Sequence, residues 1–574
     1  MKGMRGFVFI LMFSVASLSA MGQLREDADA IVQVLGVQQI EDADGDEAER
    51  LYGIIRQPLK INHAGAQKLE SSGLFTPYQI ASITDYRQRH GDILSFTELA
   101  GVDGFTLQAV QTLRRFISLE PSLDGFASSR SVPLLKADTD VKTSLKATEA
   151  ETADYFVFGA PEWKYSARGK LQFKDAIALS ASYSNGNVYS GNIAYMHRHG
   201  KVIAGDFNAR FGQGLCLWNT AVISSAMAPA AFMRKSAGVS PSYSFTGNYA
   251  MSGVAADLTV RKWKIAALID VPELKKGGFD AVCPAANITR YFCHGHIAAT
   301  HYMRFDNVMS YFTIPKMRSA VDASLCFRGV NVFGEIMQDW VSMRPSYLSG
   351  VQFSVGEYCE SAALMRYLPD FNEHGVAASL QIQKKKHMFV MSSDLLYHPQ
   401  TKSKDGEKSV QLKSQAKWRW DISEFAYSEI RITERLRTWG GKSRTDIRID
   451  AGGNIGPVHL AGRANLLGCV TWGVLGYVEA GYEESDKLRC YLRQGVFRVD
   501  DWDDRIYVYE RDGPGNFTVP AFYGRGVWTS LFAKWRLGGW GSVYVRAAYT
   551  SYPMLKEKKK PGKAELKFQL TLHI

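Results

Sequence analysis

The feature that most constrains the fold is a strict alternation of apolar and polar residues that runs to the last residue. From Ala564 to Ile574, every second residue is apolar over eleven residues. A strand with this period has one apolar and one polar face, and its length is about that of one membrane-crossing barrel strand. The same alternation recurs within 444–451 and 543–550. The pattern from about Val132 onward therefore predicts a chain built mainly from strands.

Composition separates a membrane barrel from the other classes that contain many strands. After the first 22 residues no apolar run approaches the ~18 residues of a membrane-spanning helix, which excludes a helical membrane protein. No repeat of about 40–45 residues marks propeller blades, and 12% of the residues are aromatic. We therefore predict a large antiparallel transmembrane β-barrel. At ~10 residues per strand plus turns and loops, the chain suffices for roughly 16 to 20 strands.

The amino terminus has the three parts of an export signal. Lys2 and Arg5 give a positive start, residues 7–18 are mainly apolar, and 20–22 form a small-x-small cleavage site. A buried first helix is the alternative, but no polar residue faces the apolar run. The sequence predicts a signal peptide over 1–22.

Charge is divided unequally along the chain. Residues 23–120 have a net charge of −6, and the chain after them has +15. Most of the acidic residues precede residue 50, so we predict an acidic helical lead over 23–57, exposed to solvent. The spacing of Asp42, Asp44 and Asp46 resembles the start of a calcium loop, but the glycine and the final glutamate that such a loop needs are missing.

The next segment shows the start signals of short helices. Thr76 to Gln79 form a capping box with proline at the first helical position, and Ser95 to Glu98 form a second one. Asn62 is placed to cap an earlier helix. We predict a small all-α domain over 58–120, a linker over 121–153 and the barrel over 154–574.

Within this domain an ordered set of residues resembles the tandem helix-hairpin-helix domain of the competence DNA-receptor type. In that family a Gly-hydrophobic-Gly hairpin directs backbone N–H groups onto a DNA phosphate. The residues that carry the resemblance are Leu59 to Asn62, Ala64, Ala66, Leu69, Gly73 to Thr76, Ile83 to Arg87, Gly91, Phe96 to Leu99, Val102 to Gly104 and Leu113. The resemblance implies that the hairpins contact DNA or a protein partner.

The two hairpins depart from the family pattern in the same way. Gly73 and Gly104 keep the first glycine, whereas Phe75 and Thr106 replace the second. Residues 58–120 contain six basic and six acidic residues, so charge does not favour DNA. We predict Gly73, Phe75, Thr76, Gly104 and Thr106 as the hairpin contact residues, with a protein or structural contact favoured over DNA.

Two later segments resemble the barrel portion of helix-hairpin-helix outer-membrane proteins of Gram-negative bacteria. They are 205–215 and 507–517, with weaker similarity at 333–335 and 365–367. The resemblance implies an outer-membrane location, with the helical domain in the periplasm. From alternation alone, we predict the lumen-facing charges Arg444, Asp446, Arg448 and Asp450.

No motif indicates catalysis or a bound group. The seven cysteines lie at long irregular spacings, which is not a disulfide framework. His294, His296 and His301 near Cys293 lack the paired spacing of a zinc site. Residues 509–512 could act as an acid/base pair, but a charged turn explains them better. We predict no catalytic residue, metal or cofactor, and a membrane-embedded hydrolase that uses the histidines is the enzymatic alternative.

The predicted function is therefore non-enzymatic. We expect an outer-membrane barrel that serves as a channel or an assembly or secretion platform, in contact with the lipid bilayer. Its periplasmic helical module docks a periplasmic protein or plugs the barrel. The alternative is DNA binding and uptake through the same module.

Overall fold

Most of the chain after the predicted signal peptide forms one closed barrel with a helical body. The structure is a computed structural model. It describes residues 23–37, 40–43, 45–122, 135–149, 158–174, 176–185, 188–197, 199–219, 228–245, 250–292, 294–306, 315–327, 329–356, 358–401, 409–423, 425–440, 443–484, 487–553 and 561–573. The predicted signal peptide over 1–22 lies outside these residues and stays a prediction.

The barrel wall consists of twenty-four antiparallel strands, and the last strand pairs with the first, Leu570 lying opposite Val141. The strands are β1 (Leu135–Thr148), β2 (Glu162–Phe173), β3 (Ile177–Ser184), β4 (Val188–His197), β5 (Gly200–Arg210), β6 (Met251–Val260), β7 (Trp263–Asp270), β8 (Ala281–Phe292), β9 (Gly295–Asp306), β10 (Lys316–Phe327), β11 (Val330–Asp339), β12 (Pro345–Val355), β13 (Cys359–Leu368), β14 (Glu373–Lys384), β15 (His387–His398), β16 (Ser409–Asp421), β17 (Ala426–Arg437), β18 (Arg444–Ile455), β19 (Val458–Gly468), β20 (Trp472–Glu484), β21 (Leu488–Val499), β22 (Gly524–Arg536), β23 (Gly541–Ser551) and β24 (Lys563–His573). The short strand Gly238–Pro241 pairs with the end of β5, while β5 itself continues the wall through β6.

The barrel prediction is confirmed, but the strand number of 16 to 20 is wrong because it allowed too much chain for turns. At one end of the barrel, the short-turn end, all eleven connections have only two to four residues. At the other, the long-loop end, connections have three to forty residues. The wall also begins at Leu135, inside the segment predicted as a linker, because the alternation that starts at about Val132 already belongs to β1.

The two faces of the wall match the predicted alternation. On β24 the outward Leu566 and Phe568 are 48% and 42% exposed, whereas the inward Gln569 and Thr571 are 3% and 1% exposed. Outward aromatic side chains gather near the short-turn end: Phe173, Trp263, Phe292, Phe327, Phe389, Trp418, Trp420 and Trp535. An apolar band with an aromatic girdle is the exterior of a membrane-crossing barrel. Among the described residues, no helix combines the length and the apolar character needed to cross a membrane.

Residues 23–37, 40–43 and 45–122 form a helical body, here called the N-terminal body. Its helices are α1 (Gln23–Leu35), α2 (Gly45–Arg56), α3 (Ala66–Ser71), α4 (Pro77–His90), α5 (Phe96–Ala100) and α6 (Leu107–Leu113). Ile31 and Leu51 of the predicted lead share one fully buried core with Leu69, Phe75 and Phe116. The lead and the 58–120 domain are therefore a single body with its own apolar core.

Local hydrogen bonds explain where these helices begin. Thr76 Oγ1 accepts from the Gln79 N–H at 3.2 Å and Gln79 Oε1 accepts from the Thr76 N–H at 3.0 Å, so the first capping box is complete. Ser95 caps α5, but Glu98 accepts from the Leu94 N–H instead of completing the second box. Asn62 does not cap a helix, because its side chain is hydrogen-bonded to the backbone of Ile93.

A glycine opposite a buried tryptophan gives a test of the wall packing. Gly495 pairs with Trp528, whose indole is 1% exposed and occupies the space that a Cβ at 495 would need. We expect Gly495→Ala to destabilise the barrel by about 1–3 kcal/mol through overpacking. The measurement is the temperature at which the folded, fast-migrating form is lost on a gel. Gly169→Ala is the matched control, because no atom lies within 4 Å of a Cβ there; an equal loss in both would contradict the explanation.

Candidate functional site

The N-terminal body lies in the barrel lumen, where its acidic side chains meet basic side chains of the wall. Asp29 Oδ2 lies 2.9 Å from Arg419 Nη1 of β16. The other pairs between the body and the wall are Glu41 with Arg448 and Arg463, Glu47 with Arg210, Glu49 with Arg168, and Glu70 with Lys264. The partners belong to β2, β5, β7, β16, β18 and β19, so they hold the body from widely separated parts of the wall.

Glu41 is the most completely enclosed of these acids. Its side chain is 1% exposed, and its carboxylate accepts from Arg463 Nη1 at 2.6 Å, Arg448 Nη1 at 3.3 Å and the Tyr509 N–H at 3.0 Å. Asp450 bonds to both arginines and keeps them in place. Burial alone would raise the pKa of Glu41, but the two arginines hold it well below its usual range.

The prediction of a solvent-exposed lead is therefore wrong. Its helices form as predicted, but their acidic residues are counter-charges for a basic lumen. Arg168, for example, bonds both to Glu49 of the body and to Asp140 of β1, the latter at 2.9 Å. A charge isolated in such a site would be costly, so each partner requires the other. This arrangement explains why residues 23–120, with a net charge of −6, are followed by a part of the chain with a net charge of +15.

The long connection 500–523 folds into the lumen and lies between the wall and the body. Arg511 pairs with Glu479 at 2.9 Å, Asp512 with Lys567 at 2.7 Å, and Glu510 with Arg546. On the other side, the Tyr509 hydroxyl lies 3.0 Å from that of Tyr52 in α2. Residues 509–512 thus lie in the lumen and not at an exposed strand end, and their charges are paired to the wall and not arranged as an acid/base pair.

A second inward connection, within 211–250, brings together two of the segments that carried the sequence resemblance. The Glu335 carboxylate accepts from the N–H groups of Gln213, Leu215 and Cys216 at 2.6, 3.1 and 3.1 Å. Gly212 adopts φ +61°, and a Cβ there would lie 2.8 Å from that carboxylate, so glycine is needed for the close approach. The same connection contacts the body where the Ala228 N–H donates to the Gly36 carbonyl at 3.0 Å.

The predicted hairpin residues divide between the core of the body, where Phe75 lies, and the side that faces the wall, where Thr76, Gly104 and Thr106 lie. Gly73 and Gly104 adopt φ +62° and +83°, as tight turns require. Phe75 is fully buried and packs on Phe105 with ring centroids 6.2 Å apart. Thr106 Oγ1 caps α6 and donates to Glu360 of β13 at 3.3 Å. The hairpins line a cavity of about 720 Å³ between the body and the wall.

Several N–H groups of the hairpins are already used within the body. The N–H of Gly73 donates to the Glu70 carbonyl at 2.9 Å, and that of Leu74 to Ser72 Oγ at 3.2 Å. The N–H of Phe105 donates to the Val102 carbonyl at 3.1 Å. These groups are therefore engaged before any outside acceptor arrives.

The four predicted lumen charges of β18 differ in what they contact. Arg448 and Asp450 belong to the Glu41 site. Asp446 accepts from Asn465 Nδ2 at 2.9 Å, and Arg444 donates to the Arg505 carbonyl at 3.5 Å. The sequence analysis did not identify Arg463, although the alternation of apolar and polar residues along β19 could have indicated that it faces the lumen. It also did not identify the wall partners Arg168, Arg210 and Lys264.

The histidines considered for metal or catalysis do not come together. His296 Nε2 lies 3.0 Å from Asp322, and His301 Nδ1 lies 2.9 Å from Ser319 Oγ. Within the described part of the chain, no three His, Cys, Asp or Glu side chains are grouped to hold a metal ion. Burial raises the pKa of the Cys216 thiol in the inward connection to about 12, which makes it a poor nucleophile.

Comparison with known proteins gives distant structural similarities only. No protein-family model and no curated protein sequence matches the chain. The translocation pore of the P pilus usher PapC is 7% identical, with a TM-score of 0.40, over 76% of this chain and 99% of its own. The siderophore receptor PirA from Pseudomonas aeruginosa is 8% identical, with a TM-score of 0.36, over 77% and 80%. OprD from the same organism is 7% identical, with a TM-score of 0.32, over 77% and 95%. The closed barrel follows from the chain's own strand pairing.

Removing the Glu41 carboxylate charge should loosen the body. Glu41→Gln leaves Arg448 and Arg463 without their counter-charge, and loss of one partner from a buried pair costs about 3–5 kcal/mol. We expect hydrogen exchange of α1 and α2 to accelerate at least about a hundredfold. Glu120→Gln is the control, because Glu120 pairs with Lys60 where both side chains are more than half exposed, and it should change exchange by less than about threefold. Similar effects in both variants would refute the role of the Glu41 site.

The body in its position within the lumen is here called the seated state, and the stability of this state should be greatest near pH 5. Burial would raise the pKa of Glu47, but Arg50 and Arg210 lower it to about 2. Glu41 and Glu47 therefore stabilise the seated state fully above the ordinary glutamate pKa of about 4.5, and this contribution declines progressively as the pH falls from that value toward their lowered pKa values, about 2 for Glu47. Burial raises the pKa of Asp27 to about 7, so its protonation below pH 7 acts in the opposite direction. Hydrogen exchange of α1 and α2 from pH 8 to 3 measures the loss of stability on both sides of this maximum. Asp27→Asn should abolish only the loss on the alkaline side.

Proposed function

We propose that the protein is a plugged outer-membrane channel, in which the N-terminal body is the plug. The observation that carries this proposal is the set of ion pairs between the acidic body and the basic lumen. Barrels of 16–18 strands leave an aqueous channel and 22-stranded ones contain a plug, so a wall of twenty-four strands encloses more space than its own side chains can fill. The apolar exterior and its aromatic girdle support a position in the outer membrane.

The connections support an orientation. Membrane barrels of this kind have short turns in the periplasm and longer loops outside. The short-turn end is also where β1, the first wall strand after the N-terminal body, begins and where β24 ends. We propose that the body enters from the periplasm, and that this end is where a periplasmic protein would dock to withdraw it. The enclosed, paired charges of the lumen support a non-enzymatic role.

The alternative function, DNA binding through the hairpins, is less well supported. The hairpins face a cavity of about 720 Å³ and contact the wall through Thr106 and Glu360. Three of their N–H groups are already hydrogen-bonded inside the body. DNA could use these turns only after the body had left the lumen.

A reversible crosslink tests whether the body closes the channel. A Cβ at Gly45 would lie 3.7 Å from Phe517 Cβ, which is the Cβ separation of a disulfide. In planar bilayers at pH 3, where Glu41 and Glu47 stabilise the seated state less, we expect the oxidised Gly45→Cys/Phe517→Cys variant to have a low conductance that rises when a reductant is added. Wild type should have the higher conductance at pH 3 with or without reductant. The same protein before and after reduction is its own control, and equal conductance in the two states would overturn the plug.

DNA affinity tests the alternative in the full-length protein. We expect binding at physiological salt to be no tighter than the nonspecific range of about 10⁻⁴ to 10⁻⁶ M. Phosphate contacts would make affinity fall by about 0.9 log units per log unit of salt for each phosphate neutralised. A salt titration measures this slope. Submicromolar, salt-sensitive binding with the body seated would make DNA capture the leading function.

A further inference from the structure

Two cavities lie beside the seated N-terminal body, and both are lined by β23, β24, β1 and β2, while the larger one also extends along β4, β5, β16, β21 and β22. The larger one, of about 2050 Å³, reaches the short-turn end, where Arg536 and Gly538 line it. The smaller one, of about 250 Å³, lies toward the long-loop end, where Lys146 and Lys164 line it. Both are lined by Asp512, Gly513, Asn516 and Tyr544. The two cavities therefore meet at one place, the inward turn that follows Asp512.

The charges that line this path are strongly unbalanced. The larger cavity has fourteen lysines and arginines and six acidic residues in its lining. The smaller cavity has two acidic residues, Asp512 and Glu565, and five basic ones: Lys142, Lys146, Lys164, Arg546 and Lys567. The cavity on the opposite side of the body, at the hairpins, has three of each sign. A cleft lined by one sign of charge concentrates ions of the other sign.

The inward turn closes the path through polar contacts. Asn516 Nδ2 donates to Gln569 Oε1 and Gln569 Nε2 donates to the Pro514 carbonyl, each at 2.7 Å. Lys142 Nζ donates to Asn516 Oδ1 at 2.9 Å, and Lys567 Nζ lies 2.7 Å from Asp512. The two ammonium groups that hold the turn are thus the ones that an anion arriving in the path would bind.

We propose that a passage for small anions runs beside the seated body along β23, β24, β1 and β2, with the turn Asp512–Asn516 as its gate. The proposal rests on the channel function proposed above and names the class of solute that passes while the plug is in place. An anion competes with Asp512 and Asn516 for Lys567 and Lys142, which frees the turn. A cavity of about 250 Å³ holds about eight waters at ~30 Å³ each, so the solutes are small carboxylates, phosphate or sulfate.

Ion selectivity of the full-length protein at pH 7, with the body seated, tests the passage. In planar bilayers under a potassium chloride gradient, we expect the reversal potential to show a preference for chloride over potassium of at least about threefold. Lys142→Gln and Lys567→Gln should each lower the preference toward 1. Lys417→Gln should leave it unchanged, because Lys417 lies on β16 and lines the balanced cavity. Gln569→Ala removes the two hydrogen bonds that Gln569 makes with the turn. It should increase the conductance while the preference for chloride is kept.

The outcomes separate this inference from the channel function. A seated protein that conducts without preference, prefers potassium, or loses its preference equally in Lys417→Gln would overturn the passage. So would a seated protein that does not conduct even with Gln569→Ala. Each of these results would leave the plug intact, since the plug is tested by the rise in conductance at pH 3 and by the smaller conductance of the oxidised crosslinked variant.

Discussion

The pairing of an acidic body with a basic lumen is the interaction on which the rest of the structure depends. Every second wall residue faces inward, and a barrel of twenty-four strands is too wide for these side chains to meet across the lumen. Inward arginines such as Arg448 and Arg463 would then need water or an acidic partner. Glu41 is that partner, and its 1% exposure shows how completely water is replaced. Wall and body therefore have to be considered as one electrostatic unit.

An interface made of ion pairs holds the body in a different way from an apolar interface. Buried pairs contribute little net stability because desolvation offsets their attraction, yet removing one partner is costly. Such contacts therefore fix position more than they add affinity. The N-terminal body also has an apolar core of its own residues, from Ile31 to Phe116, against which Tyr509 and Phe517 of the inward connection pack. The ion pairs with the wall therefore surround a body that is held together by apolar contacts.

The sequence predicted the elements better than it predicted their arrangement. Alternation within β24 and β18 identified the strands and their faces, since a period of two is a local property. The strand number depended on loop lengths, and the two-residue turns were not recognised from local pattern. Glu41, Glu47 and Glu49 are evident as acidic residues, but their partners lie from about 120 to more than 400 residues further along the chain. Ion pairs between residues so far apart in the sequence form only when the barrel closes around the body. Local sequence pattern therefore favours solvent exposure for these acidic residues.

Two of the predicted hairpin residues have structural roles, one inside the body and one at its contact with the wall. Where the resembling family has a second glycine, this chain has Phe75 and Thr106. Phe75 fills the core of the body, and Thr106 caps α6 and reaches Glu360 of the wall. Glycine at 75 would leave a cavity in the core, and glycine at 106 would remove both the cap and the contact with the wall. The side chains that depart from the phosphate-binding pattern are thus the ones that hold the body together and fit it to the barrel.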